Sequence, residues 1–212
     1  EYRTKFISNH SDKFFTKLVI ANTEIEIPEA PLDSTGNPDK NFPFFFYKKH
    51  FWDNIDFSDE RMLRTRVFFN KMTQYLEKLT VKHPDSINVS ADILIEKSRA
   101  NKDIFQYVVN YITSTYERSK IMGMDAVFVH MVEKYYITNQ CEWIDSLQLI
   151  KIADRAQKIA PNLIGRPAPP FLNQLGYPFM KNEKDEIKRM YDINSKYTLL
   201  VFYAPDCGHC KK

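Results

Sequence analysis

Apolar residues recur with a helical period through the central part of the chain. One such face, with spacings of i, i+3, i+4, i+7 and i+8, contains Ile104, Tyr107, Val108, Tyr111 and Ile112. Proline is absent between residues 85 and 160, and Gly123 is the only glycine there, so this stretch is nearly free of helix breakers. We predict packed helices near residues 10–21, 59–80, 90–99, 102–118, 125–137 and 145–160.

Residues 22–57 show a different pattern, because prolines interrupt them at Pro28, Pro31, Pro38 and Pro43. We predict an extended segment that wraps over the helices. It contains an aromatic run, which consists of Phe44, Phe45, Phe46 and Tyr47. Four consecutive side chains of an extended segment cannot all point inward, since they alternate between its two faces. Some of these rings are therefore predicted to cover the helical domain or to form a surface for a partner protein.

The composition changes again at Pro161, where a linker rich in proline begins. Residues 197–203 are seven consecutive apolar, aromatic or β-branched residues, which predicts a strand buried on both faces. A short turn over residues 204–206 then leads into the C-G-H-C sequence of residues 207–210, which we place at the start of a helix. The predicted fold is thus mainly α, with a helical N-terminal domain over residues 1–160 and the beginning of an α/β domain over residues 161–212.

Composition narrows the classes of partner and environment. The 212 residues carry 30 Lys and Arg against 27 Asp and Glu, and a net charge of +3 is too balanced to indicate a nucleic acid partner. The longest uncharged apolar run, residues 197–205, is far shorter than a membrane span. Three cysteines cannot form a secreted scaffold with several disulfides. The chain opens on Glu1 with no start methionine or signal-type segment, so we expect the numbering to begin inside a longer or processed precursor.

Cys207 and Cys210 form the one constellation in the sequence that indicates chemistry. Backbone N–H groups at a helix start stabilise an anion, so Cys207 is expected to be the thiolate of low pKa that attacks a disulfide. Cys210, one turn later, is close enough to resolve the mixed disulfide. His209 between them is expected to favour the thiolate further, which makes the disulfide a stronger oxidant. This chemistry needs no organic cofactor, and its partners are protein thiols, protein disulfides and a redox partner protein.

Several other residues have two competing interpretations. The alternative interpretation of the cysteine pair is half of a zinc site. A structural zinc ion needs four ligands, however, and the sequence contains no second paired motif. His130 and Glu133 have a helical spacing that suits a metal pair, and a partly buried histidine with a local hydrogen bond is the favoured alternative. We predict no metal site.

The remaining candidates are favoured as structural residues. Asp56 and Asp59 suggest acid–base chemistry, but Ser58-Asp59-Glu60 is more typical of a helix N-cap. Cys141 has two interpretations, a regulatory thiol and a free cysteine packed between helices, and we favour the second. A stripe at helical spacing favours a helix core over a ligand groove. It consists of Phe68, Phe69, Met72, Tyr75, Leu76 and Leu79.

Two motifs near the C-terminus resemble a known family. Residues 165–171, G-R-P-A-P-P-F, resemble the G-x-x-A-P-x-F opening of TlpA-like, peroxiredoxin-related thioredoxin domains. Residues 201–212 resemble the active-site strand and helix start of these domains, although Tyr203 and Asp206 stand where tryptophans are usual. The helical part, including residues 56–59, 122–127 and 133–136, is similar to a domain of unknown function that precedes such modules in envelope proteins of Gram-negative bacteria.

This resemblance implies a thiol–disulfide oxidoreductase of the periplasm or cell envelope, with Cys207 and Cys210 as catalytic residues. Such a domain needs roughly 100 residues, and only 48 run from Gly165 to Lys212. We therefore expect a chain truncated soon after the cysteines, with a weak or incomplete active site. The alternative is a helical binding module without catalysis, which recruits a partner in the envelope. The partner surface would then be the aromatic run at residues 44–47.

Overall fold

The fold is mainly helical, as the sequence predicts. The computed structural model describes residues 2–32, 34, 36–170, 172, 176, 180–181, 184 and 186–199. The chain divides into two compact units, residues 1–165 and 166–212. In the described part of the chain, no helix is long and apolar enough to cross a membrane.

The first unit is built from α-helices joined by short connections. The α-helices are α1 (Tyr2–Asn9), α2 (Phe14–Ala21), α3 (Phe42–His50), α4 (Arg66–Glu77), α5 (Pro84–Ser98), α6 (Lys102–Glu117), α7 (Asp125–Met131) and α8 (Ser146–Ile159). Two 3-10 helices, Glu60–Arg64 and Ala160–Asn162, precede α4 and follow α8. A π-helix, Val132–Tyr136, continues α7.

Local chemistry at the first turn explains where three of these helices begin. Asn101 precedes α6, and its side-chain oxygen accepts hydrogen bonds from two backbone N–H groups of the first turn, at 2.9 and 3.2 Å. Asp145 caps α8 in the same way, with a distance of 2.8 Å to the backbone nitrogen of Gln148. Pro84 is in the first turn of α5, where its missing N–H group leaves no hydrogen bond unmade.

Helix α6 lies at the centre of the core, because it packs against both α5 and α7. Its buried residues are Ile104, Phe105, Val108, Val109, Ile112, Thr113 and Tyr116. Full burial of one such aliphatic side chain contributes about 1.5–3 kcal/mol to the free energy of unfolding. Tyr107 and Tyr111, which share the predicted apolar face, are only partly buried and pack at its edge. One side of α6 therefore remains accessible.

A second part of the core consists of packed aromatic rings near α4. Phe51 stacks on Tyr75 with 5.6 Å between the ring centroids, and Trp52 meets the edge of Tyr75 at 5.2 Å. Phe57 contacts Trp52 and Phe68 at 5.5 and 5.9 Å. Each such pair adds about 0.5–1.5 kcal/mol beyond the area that it buries. The stripe predicted on α4 is therefore core at Phe68, Met72, Tyr75 and Leu76, whereas Phe69 is exposed.

The prediction of an extended segment over residues 22–57 is wrong in its second half. Residues 24–31 form neither helix nor strand, but Phe42–His50 form α3. Pro43 lies in the first turn of this helix, where proline is tolerated because the N–H group that it lacks has no partner inside the helix. The proline that indicated an extended segment instead marks a helix start.

Other predicted helices differ at their ends. The helix predicted over residues 59–80 is divided at Thr65, whose extended backbone separates the 3-10 helix from α4. The predicted helix 90–99 begins earlier, at Pro84. The predicted helix 125–137 changes hydrogen-bond register after Met131, since the N–H of Ile137 donates to the carbonyl of Val132 at 3.0 Å.

The second unit contains a small antiparallel sheet in its described part. Strands β1 (Met180–Lys181) and β2 (Ile187–Lys188) pair, and a 3-10 helix, Met190–Asp192, follows. The strand predicted over residues 197–203 is not formed at residues 197–199, where Tyr197 is 83% exposed and Leu199 is 87% exposed. A strand buried on both faces needs neighbouring strands, and the described residues of this unit supply only β1 and β2. Residues 200–203 lie outside the described residues.

Candidate functional site

The predicted catalytic residues Cys207, His209 and Cys210 lie outside the described residues. Their roles stay predictions. In the described part of the second unit, the Tyr191 hydroxyl donates a hydrogen bond to the carbonyl of Ala168. This bond ties the start of the unit, within the G-R-P-A-P-P-F motif, to the 3-10 helix that follows β2.

The aromatic run at residues 44–47 is distributed around α3. Phe46 packs on His50, with 4.3 Å between the ring centroids, and Tyr47 packs on Phe51 at 5.6 Å. Phe44 and Phe45 contact each other at 5.6 Å and are 44% and 63% exposed. The helix thus uses Tyr47 for packing against the core and leaves Phe44 and Phe45 on the surface, so these two rings are the candidate partner surface.

A cleft of about 650 Å³ runs along the accessible side of α6. The polar residues of α6 that line it follow one another at spacings of three or four. They are Asp103, Gln106, Asn110, Ser114 and Glu117, with Thr113 beside them. The opposite side of the cleft is apolar and aromatic, and it includes Phe128, Tyr136, Ile144 and Ile152. A volume of this size lies within the range of ligand-binding clefts.

Asn110 has a fixed orientation at the centre of this cleft. Its side-chain oxygen accepts hydrogen bonds from the Tyr136 hydroxyl at 3.3 Å and from the Trp143 indole N–H at 3.2 Å. Both partners are donors in these bonds, which places the carbonyl end of the amide toward them. The NH₂ end of Asn110 is then left as the donor for other groups.

The two ends of the cleft carry carboxylates. Asp103 is exposed near the start of α6, and Glu117 near its end pairs with Arg155 at 3.1 Å. Tyr107 and Tyr111 stand between them with nearly parallel rings, 6.4 Å apart between centroids. Burial raises the pKa of the Tyr107 hydroxyl, and the nearby Tyr111 adds to this effect.

A polar cluster around Asp92 connects α5 to α7 and the π-helix. The Asp92 carboxylate accepts hydrogen bonds from His130 Nε2 at 2.9 Å, Lys134 Nζ at 2.7 Å and the Tyr135 hydroxyl at 2.7 Å. Burial alone raises the pKa of Asp92, but the three hydrogen bonds outweigh it and lower the pKa to about 2. The pKa of Tyr135 is raised, first by burial and then by its bond to Asp92. The predicted partly buried histidine is confirmed, but its partner lies on another helix rather than nearby in sequence.

Asp56 and Asp59 form ion pairs instead of an acid–base pair. Lys17 Nζ lies 2.7 Å from Asp56 Oδ2 and 2.6 Å from Asp59 Oδ2. Asp59 also accepts hydrogen bonds from the side chain and backbone N–H of Arg61, which confirms the predicted N-cap. The bonds from Arg61, followed by those from Lys17, hold the pKa of Asp59 well below its usual range.

Cys141 is a buried free thiol, as predicted. Burial raises its pKa to about 12, so the group is protonated at neutral pH and is a poor nucleophile. Within the described part of the chain, no group of three or more His, Cys, Asp or Glu side chains converges on a point where a metal ion would be held.

Comparison with known proteins identifies the first unit. The profile of a family described as a domain of unknown function (DUF5106) matches residues 4–162. The chain belongs to this family. No protein of curated function matches the chain.

One solved structure resembles this chain. It is a thioredoxin-like protein from Bacteroides caccae ATCC 43185, with a TM-score of 0.52 and 16% sequence identity. The alignment covers 89% of this chain and 65% of the chain of that structure, so the present chain spans less than two thirds of its length. At this identity the likeness concerns the fold alone and carries no statement about activity.

Sequence reasoning missed the cleft of the DUF5106 domain and its central residue, Asn110. A signal was present, because polar residues recur along α6 at the same helical spacing as its apolar face. The hydrogen bonds from Tyr136 and Trp143 to Asn110 could not be predicted from a local pattern, since these residues lie 26 and 33 positions away in sequence.

Proposed function

We propose that the protein is a thiol–disulfide oxidoreductase that exchanges disulfides with other proteins through Cys207 and Cys210. The observation that carries this proposal is the C-G-H-C sequence, which follows the apolar stretch 197–203 after a three-residue turn, in a chain with a thioredoxin-like structural neighbour. The resemblance of residues 165–171 and 201–212 to TlpA-like domains supports the same activity. By the same resemblance we place the protein in the periplasm or cell envelope.

In the reducing direction, the Cys207 thiolate attacks one sulfur of a substrate disulfide, and the other substrate sulfur leaves as a thiolate. A mixed disulfide joins Cys207 to the substrate. The Cys210 thiolate then attacks the Cys207 sulfur and releases the second substrate sulfur as a thiolate. Two electrons have passed to the substrate, and the protein holds a Cys207–Cys210 disulfide, which a dithiol partner protein reduces again. Oxidation of a substrate dithiol is the reverse sequence.

The other groups near this chemistry have separate roles in the proposal. His209 favours the Cys207 thiolate electrostatically when its ring is protonated. Cys141 takes no part, because burial raises the pKa of its thiol to about 12 and keeps it protonated at neutral pH.

A second candidate function is partner recruitment by the DUF5106 domain. The exposed pair Phe44 and Phe45 supports it, since two adjacent phenylalanines on the surface of α3 offer apolar area to a partner. This function does not require the cysteines. It is compatible with a redox unit that acts on the recruited protein.

Trapping of mixed disulfides tests the redox proposal. Cys210→Ser should accumulate a mixed disulfide with insulin, which mass spectrometry locates at Cys207, whereas Cys207→Ser should form none. Cys141→Ala is the matched control and should reduce insulin at the rate of the unmodified chain. Insulin reduction by Cys207→Ser at that same rate would show that the assignment is wrong. Partners that are retained by the chain without Cys207 and Cys210, but lost with Phe45→Asp, would favour recruitment.

A further inference from the structure

The cleft along α6 is built like a binding site for an extended chain. We propose that it binds an unfolded polypeptide segment, in extended conformation and with basic side chains. This proposal concerns the first unit alone and does not depend on the redox chemistry of Cys207 and Cys210.

The polar residues of α6 match the repeat of an extended polypeptide. Gln106, Asn110 and Ser114 are each four residues apart, which corresponds to about 6 Å along the helix axis. Alternate residues of an extended chain are about 6.6 Å apart and place their backbone groups on the same side. A peptide that lies along α6 therefore presents one backbone group to each of these side chains in turn.

Asn110 supplies the best-defined contact in this row. Tyr136 and Trp143 occupy its carbonyl oxygen, so its NH₂ group, which has no hydrogen-bond partner among the described residues, is the end that can donate to a ligand. A donor that is held in place needs an acceptor, and a peptide carbonyl is the acceptor that every polypeptide carries irrespective of sequence. The fixed orientation also lowers the entropy lost on binding, because the amide does not have to be ordered by the ligand.

The length of the cleft agrees with a peptide ligand. The distance from Asp103 to Glu117 is fourteen residues of α-helix, which corresponds to about 21 Å. An extended chain spans this distance with about six residues at about 3.3 Å each. The cleft therefore has the length of a short polypeptide segment, and a compact small molecule would leave part of it empty.

Charge and aromatic surface favour basic side chains. The described residues that line the cleft include the carboxylates of Asp103 and Glu117 and no lysine or arginine. Arg155 pairs with Glu117 and lies 6.0 Å from the centre of the Phe128 ring in the cleft wall, so the exposed Asp103 at the other end is the less compensated carboxylate. The rings of Tyr107 and Tyr111 add faces on which an ammonium or guanidinium group is attracted.

The test uses a chain with Cys207→Ser and Cys210→Ser, so that disulfide exchange cannot contribute. The probe is a fluorescein-labelled, cysteine-free ten-residue peptide in which lysine alternates with leucine, and binding is followed by fluorescence anisotropy. The same peptide with glutamate in place of lysine is the matched control ligand. Trp143 provides a second readout, because it donates to Asn110, whereas the other tryptophan, Trp52, is buried in the core.

Ser114→Arg places a large cation in the cleft and should weaken binding of the lysine peptide at least tenfold. Thr115→Arg, one position along the same helix and outside the cleft lining, is the matched control and should leave the affinity within twofold. Gln106→Ala should weaken binding about threefold and covers the case in which Ser114→Arg does not fold, as judged by circular dichroism.

Three results would overturn the proposal. The first is affinity for the glutamate peptide equal to that for the lysine peptide. The second is unchanged lysine-peptide affinity in both Gln106→Ala and a folded Ser114→Arg variant. The third is an effect of these variants on self-association in analytical ultracentrifugation with no effect on peptide binding, which would assign the cleft to a second copy of the chain. None of these results bears on the proposed thiol chemistry, since Cys207 and Cys210 are both replaced by serine in the tested chain.

Discussion

Asp92→Asn is the substitution that tests the packing of α5 against α7 most quantitatively. The change keeps the size of the side chain and removes its charge, so the bond from Lys134 loses its ionic component. The Asp92 side chain is 26% exposed, which limits screening by water. A carboxyl pKa lowered from 3.8 to about 2 corresponds to about 2 kcal/mol of preferential stabilisation of the charged form. We expect Asp92→Asn to lower the free energy of unfolding by about that amount at pH 7.

The effect of Asp92 depends on pH with a defined sign. Its pKa is lower in the folded chain than in the unfolded chain, so its contribution is complete above pH 3.8 and is lost as the pH falls toward about 2. At pH 3 roughly half of the contribution, about 1 kcal/mol, should remain.

Urea denaturation followed by circular dichroism at pH 7 and pH 3 measures both values. Asp154→Asn is the control, because its i,i+4 pair with Lys158 is exposed and should contribute less than about 0.5 kcal/mol at either pH. A difference below about 0.5 kcal/mol for Asp92→Asn at pH 7, or a difference that is unchanged at pH 3, would refute the reasoning.

Two further predictions concern α3 and the buried thiol. Phe45→Asp should change the free energy of unfolding by less than about 0.5 kcal/mol because the ring is exposed. Phe51→Ala should lower it by about 3–5 kcal/mol because its ring is packed against Trp52 and Tyr75. Urea denaturation of both variants measures the two values. Cys141 should resist iodoacetamide at pH 8 in the folded chain and react after denaturation in urea, because burial raises its pKa to about 12; rapid labelling of the folded chain would contradict its placement in the core.

Local signals in the sequence are sufficient for much of the helical fold. The predicted helix 102–118 agrees with α6, Lys102–Glu117, because the apolar period and the Asn101 cap both act within a few residues. The prediction is wrong at residues 42–50, where Pro43 lies in the first turn of a helix. The local preference of proline fits an extended segment and the first turn of a helix equally well.

The polar clusters required information that the sequence pattern does not contain. His130 and Tyr135 reach Asp92 across 38 and 43 positions of sequence, and Lys17 reaches Asp59 across 42 positions. Such pairs arise from the packing of one helix on another, which no periodicity specifies. The cleft follows from the same packing, because the polar side of α6 is indicated by the sequence but the opposite wall, which includes Phe128, Tyr136, Ile144 and Ile152, is not.

Alkylation of the reduced chain at graded pH tests the central claim most directly. Mass spectrometry resolves the three cysteines, and Cys141 is an internal control that should stay unlabelled while the chain is folded. The proposed function predicts that Cys207 reacts as a thiolate well below the ordinary cysteine pKa of about 8.5. A Cys207 that titrates at about 8.5, like an unperturbed thiol, would contradict an activated nucleophile at this position.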